Sequence, residues 1–154
     1  MLSADASAQQ APVDEELDAR HLVAMDAFSR RDLDAYRQIF SPTLAYRQVD
    51  GRIIGRDRLM HDVARQFRRL SHVKASFVRE RLSLAGDDAT ETLVQEAHLE
   101  ATAFGFVHRS WRLTRRGDYS WTKPDGLWVI QRVKVLSETV LPAGWRFGLG
   151  LPDE

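Results

Sequence analysis

The chain has no cysteine, which excludes disulfides, thiolate metal sites and cysteine nucleophiles. It also has no excess of either charge. Lys plus Arg is 22 and Asp plus Glu is 22, so the basic surplus of a general nucleic-acid binder is missing. No apolar run approaches the ~18 residues that a membrane span needs. HExxH, P-loop, GxSxG and GxGxxG patterns are all absent, and with them the commonest signatures of zinc hydrolysis, nucleotide binding and serine hydrolysis. The reading is a protein with no metal, no cofactor, no nucleic acid and no membrane partner.

The stretch 1–12 has no basic n-region and no apolar h-region. It reads as a disordered tail on a cytoplasmic protein. Ala6-Ser7-Ala8 has the look of a cleavage site, which keeps a trimmed exported form as an alternative.

What is present is an ordinary globular composition. Over 154 residues, 44% are hydrophobic and 29% charged, enough for one domain with a sizeable core. The chain is organised around 118–140, which reads as a β-hairpin. Lys123-Pro124-Asp125-Gly126-Leu127 has the turn chemistry, with Pro presetting φ and Gly free to take positive φ. The flanking arms are rich in aromatic and β-branched residues. The second arm alternates imperfectly: Trp128, Ile130 and Leu136 point one way, Val129, Val133 and Val135 the other. That predicts a strand covered on both faces, by helices on one side and a second subunit on the other.

Ahead of the hairpin, Val13, Leu17, Ala24 and Phe28 lie on one face of a predicted helix over 13–30, with His21 inside the stripe. Asp32 is the expected cap of a short second helix that carries Leu33, Tyr36, Ile39 and Phe40 inward and stops at Ser41-Pro42. Residues 44–49 form a first strand that turns at Asp50-Gly51. Asp57 is expected to cap a third helix with Leu59, Val63, Phe67 and Leu70 buried. Strands over 73–84, 90–103 and 106–114 follow, with turns near Gly86, Gly105 and Arg116-Gly117. Helices first and long antiparallel strands afterwards is an α+β order. The domain spans 13–140, and 141–154 is an irregular tail.

Arg31-Asp32-Leu33-Asp34, Phe40-Ser41-Pro42, the strand ending at Asp50-Gly51, Gly55-Arg56-Asp57-Arg58-Leu59 and Asp125-Gly126-Leu127-Trp128-Val129-Ile130 together resemble the NTF2-like superfamily. That group includes SnoaL-like cyclases, ketosteroid isomerases, scytalone dehydratase and dioxygenase β subunits. The resemblance covers about 15–140. It implies a cone in which three N-terminal helices pack on a curved, mostly antiparallel sheet around an apolar pocket, often in a homodimer formed through the outer sheet face. By the isomerase pattern the base position falls on Gln48, the tyrosine position near Ala24 and the second acid on Asp118. The end of the chain, from Trp128-Val129-Ile130-Gln131-Arg132 to Leu136-Ser137-Glu138-Thr139-Val140-Leu141, also resembles that of a dioxygenase β subunit, whose role is mostly to scaffold.

Hairpin register decides which side chains share the pocket. With a three-residue loop, Asp118 faces Arg132, Ser120 faces Ile130 and Thr122 faces Trp128. With a two-residue turn, Tyr119 and Trp121 take those places. The first register makes Asp118 a proton donor or acceptor, or else the structural partner of Arg132. His21 is a general-base candidate or a core histidine. Tyr46, Gln48, Ser120, Trp128 and Arg132 are the expected ligand contacts. On the strands at 90–103 and 106–114, His98 is expected across from Trp111 and His108 across from Ala101, on opposite faces.

Two functions fit. The first is a small-molecule pocket protein acting by acid–base chemistry on an apolar or aromatic carbonyl compound, as isomerase, cyclase or dehydratase. The second is a non-catalytic ligand-binding or scaffold subunit.

Overall fold

The computed structural model describes residues 2–103, 105 and 107–142. These form three helices and six strands: α1 (Leu2–Ser29), α2 (Leu33–Arg37), β1 (Phe40–Arg47), β2 (Ile53–Ile54), α3 (Arg56–Arg69), β3 (His72–Ala85), β4 (Asp88–Ala103), β5 (Val107–Thr122) and β6 (Val129–Leu141). The strands make one sheet in the order β2-β1-β6-β5-β4-β3. The β1–β6 pair is parallel and the other pairs are antiparallel. No helix among the described residues is long and apolar enough to cross a membrane.

The helices follow their apolar spacing, with shifted ends. α1 begins at Leu2 and runs through Pro12, well ahead of the expected start near Val13. Asp32 caps α2 as expected, its carboxylate accepting from the Ala35 N–H at 3.1 Å. Phe40 is the first residue of β1 and not the end of a helix, and Ser41-Pro42 lies inside that strand. Gly55, not Asp57, is the N-cap of α3, and Asp57 sits in the first turn. The buried stripe of α3 contains Leu59 and Val63 together with Met60, Asp62 and Gln66.

β-Bulges shape the sheet. Between β5 and β6 the pairing steps from Ser120↔Arg132 to Trp121↔Ile130, leaving Gln131 as an extra residue. A second step, from Arg116↔Ser137 to Gly117↔Val135, does the same at Leu136. The imperfect alternation of β6 has this cause. Trp128, Ile130, Val133 and Val135 all reach one buried face, and Leu136 is 38% exposed, so the expectation of two buried faces is corrected. A third bulge, at Glu80, interrupts the β3–β4 pairing. Each extra residue bends and twists its strand, and together they curve the sheet over α1 and α3.

The expected turn at Arg116-Gly117 does not form, because β5 is continuous through it. Gly117 is buried in the sheet, where a Cβ would meet the Lys134 carbonyl oxygen and the Tyr119 ring, each at 3.3 Å. A glycine inside a strand marks such a close approach as readily as a turn. Gly126 does turn the chain, at φ +79. The β4–β5 register also differs by one residue from expectation, pairing His98 with Arg112 and His108 with Thr102. Both histidines therefore share one sheet face.

The main core joins Leu17 of α1 and Leu59 and Val63 of α3 to Leu93, Trp121, Ile130 and Val133 of the sheet. Fully burying each aliphatic side chain contributes roughly 1.5–3 kcal/mol. A second cluster, around Leu99, Trp111 and Leu113, fills the far end of the long strands.

Candidate active site

A cavity of about 70 Å³ lies between the three helices and the inner sheet face. It exceeds the ~10–15 Å³ that one water's centre needs. Most of its wall is apolar or aromatic. The polar wall groups are His21 from α1, Tyr36 from α2, Tyr46 from β1, Gln66 from α3, Gln95 from β4, and Arg115 and Tyr119 from β5.

His21 is on α1, on the face that packs against the sheet, and is 5% exposed. Its Nε2 lies 2.8 Å from Oε2 of Glu91, which is itself buried. Glu91 reaches this position because Ala89, Glu91 and Leu93 alternate onto the inner face of β4. Three groups hold its carboxylate. Trp121 Nε1–H donates to Oε2 at 2.5 Å and Arg79 Nε–H to Oε1 at 3.0 Å, while His21 completes the set. The surrounding N–H donors suit an acceptor-only carboxylate. Arg79 also donates to Asp18 at 2.7 Å, which ties the carboxylate back to α1.

This arrangement fixes the imidazole. Phe77, Trp121 and Tyr119 pack around the ring at centroid distances of 4.7, 5.1 and 6.3 Å. With the Nε2 proton on the Glu91 side, Nδ1 is left as a lone-pair nitrogen. It has no hydrogen-bond partner among the described residues, in a side chain that lines the cavity.

Arg115 is the permanent cation of the wall. Its Nε and Nη2 donate to one oxygen of Glu138, at 3.0 and 2.9 Å. The bulge at Leu136 makes that contact, because the extra residue moves Glu138 onto the inner face. Burial, the largest influence, pushes the guanidinium pKa down, but the charge and hydrogen bond of Glu138 and the neighbouring ionisable tyrosines together raise it on balance.

All three tyrosines of the chain line this cavity. Burial is the largest cause of a raised pKa at each, so Tyr36, Tyr46 and Tyr119 stay protonated donors. Tyr119 donates to Gln95 Oε1 at 2.8 Å. The hydroxyls of Tyr36 and Tyr46 have no protein partner among the described residues.

The expected site residues separate into two groups. His21 and Tyr46 line the cavity. Gln48 is buried just past the end of β1, outside the lining. Trp128 is a core residue whose indole N–H donates to Glu16, and Lys123 lies 5.0 Å from its ring centroid. Ser120 pairs with Arg132, which is exposed. Asp118 pairs with Lys134 rather than Arg132 and accepts from Thr92 Oγ1 at 2.7 Å. The register already differs next to the turn, where Thr122 pairs with Val129 and Trp121 with Ile130, the place the two-residue alternative gives Trp121, and the Gln131 bulge shifts it by one residue more. Asp118 and Ser120 alternate away from Tyr119 and Trp121, and neither lines the cavity.

Glu91, Gln66 and Arg115 were missing from the expected set. Glu91 shares strand parity with Leu93, Ala97 and Leu99. Gln66 is seven residues after Leu59 and three after Val63 on the helix stripe. Those periodicities carried the signal. Arg115 shares strand parity with Leu113 and Tyr119, but the strand expected over 106–114 stopped short of it, so that parity was not read across β5.

No protein-family model matches the sequence, and no curated protein matches it significantly. Solved structures do match in shape. A candidate scytalone dehydratase from Novosphingobium aromaticivorans superposes with a TM-score of 0.75 at 11% identity, over 86% of this chain and 90% of that one. A hexachlorocyclohexane dehydrochlorinase (LinA) of type 2 gives 0.66 at 10% identity, over 90% and 95%. An NTF2-like superfamily protein from Salmonella enterica serovar Typhimurium gives 0.69 at 16% identity, over 88% and 99%. The chain has the NTF2-like fold.

Proposed function

We propose that the protein is a cofactor-independent acid–base catalyst that removes a proton next to the carbonyl of a small, largely apolar or aromatic compound. The observation that carries this is the buried His21–Glu91 pair on the cavity wall, with His21 Nδ1 unpartnered. In this reading Nδ1 takes the proton and the Glu91 carboxylate stabilises the imidazolium that forms. Tyr36 and Tyr46 donate to the developing enolate oxygen, and Arg115 adds positive charge to the same wall. Return of the proton to another carbon gives isomerisation. Loss of a neighbouring hydroxyl, with the proton delivered to it, gives dehydration. Attack of the enolate on a second carbonyl gives cyclisation. The dehydratase and dehydrochlorinase named above are eliminating enzymes by name, which agrees with the second outcome.

The test is exchange. In deuterated water the protein is expected to replace the α-hydrogens of cyclopentanone faster than buffer alone, followed by proton NMR. His21→Gln should return the rate to background. A wild-type rate equal to buffer contradicts the reading.

A homodimer through the outer sheet face is the companion proposal. Val78 is 67% exposed there and pairs with Val94. Sedimentation of Val78→Glu should shift a dimer toward monomer, and a monomeric wild type would refute the idea.

A further inference from the structure

Gln66 lines the cavity at 1% exposure. Neither Nε2 nor Oε1 of its amide has a hydrogen-bond partner among the described residues. Leaving both unpaired is costly, since a buried donor or acceptor without a partner loses its hydration with no return. The helix does not require it. Gln66 occupies a stripe position alongside Leu59, Val63 and Leu70, where a leucine would satisfy the packing. The other wall amide is different, because Gln95 already accepts from Tyr119.

A primary amide presents one acceptor and one donor on the same edge, whichever way its oxygen and nitrogen are assigned. Its complement is a ligand edge with a donor beside an acceptor. We infer that Gln66 is a two-point ligand contact, and that the cavity takes a small molecule whose polar edge pairs an acceptor with an adjacent donor, as lactams and undissociated carboxylic acids do. This rests on the cavity being a ligand site, as proposed above, and is independent of whether His21 moves a proton. It adds selectivity. A site built to hydrogen-bond a group rejects an analogue lacking it far more strongly than an apolar pocket rejects a change of one methylene.

Two five-membered rings test it on the full chain. γ-Butyrolactam and cyclopentanone differ by an N–H in place of a CH₂. Both are titrated by ¹⁵N–¹H NMR into the wild type and into Gln66→Leu. The wild type should bind the lactam about tenfold or more tighter than the ketone, and Gln66→Leu should bring the two within about twofold. The ligand-free Tm of Gln66→Leu should rise, since the unpaired amide is gone. A wild type without lactam preference overturns the inference, as does a preference that survives in Gln66→Leu. A lowered Tm for Gln66→Leu also overturns it, because the amide then has a structural partner. If neither ring binds the wild type, the cavity reading fails with it. If the ketone binds as well as the lactam, only the role of Gln66 fails.

Discussion

His21 Nε2 and Glu91 Oε2 lie 2.8 Å apart across seventy residues of sequence, and both side chains are buried. A buried imidazole held by a buried carboxylate has one nitrogen committed to the protein and one left over. Here the leftover nitrogen belongs to a side chain that lines the cavity, and on this the functional account rests.

Replacing Glu91 with Gln keeps the shape and removes the charge. The exchange rate should fall by roughly 10²-fold or more, the scale of general acid–base contributions. Folding stability should fall by about 1–3 kcal/mol, because Arg79 loses a charged partner. Urea unfolding monitored alongside exchange separates the two effects. An unchanged exchange rate in a folded Glu91→Gln would remove the carboxylate from the mechanism.

Asp118→Asn is expected to do little. An asparagine oxygen can still accept from Thr92, and the residue is outside the cavity wall. Turnover and ligand affinity should stay within about twofold of wild type, and stability within about 0.5 kcal/mol, as for surface substitutions. A large loss of turnover at full stability would return Asp118 to the proton-transfer role its sequence position suggests.

The tyrosines predict an alkaline response. All three have a pKa raised mainly by burial, above the unfolded value of about 10. Their contribution to stability is complete below pH ~10 and is lost as pH rises from there toward the folded values, by about 1.4 kcal/mol per pH unit for each tyrosine. Phenolate absorbance should therefore appear together with the loss of near-UV circular dichroism. A tyrosine that ionises near pH 10 in the folded protein would show that the cavity wall is wetter than described.

Gly117→Ala tests the sheet beneath the site. The added methyl would sit 3.3 Å from both the Lys134 carbonyl oxygen and the Tyr119 ring. Either the strands separate or Tyr119 turns, at a cost of about 1–3 kcal/mol. Chemical denaturation should show that loss, and probe binding in the cavity should weaken with it.

Much of the fold was legible in the sequence, and the reasons are local. Leu17, His21, Ala24 and Phe28 at helical spacing placed α1, and Pro124-Asp125-Gly126 placed the turn before β6. What failed was register. No local pattern identifies Gln131 or Leu136 as extra residues, because a bulge is set by cross-strand pairing. The pairing next to the turn, Trp121 with Ile130, reversed Asp118 and Tyr119, and the unseen bulge at Gln131 then set Val133 rather than Arg132 opposite Tyr119. Tyr46 and His21 line the cavity, and neither position depends on that pairing. Glu91 was legible in principle, since it alternates with Leu93, but an acid in an apolar row reads as solvated until its partner on α1 is known.

The most direct test is long-range ¹H–¹⁵N NMR of the His21 ring, assigned by comparison with His21→Gln. The account predicts that the neutral ring has its proton on Nε2, with Nδ1 unprotonated, and that Glu91→Gln disturbs this preference. A ring whose proton sits on Nδ1 would leave no base facing the ligand and would contradict the mechanism.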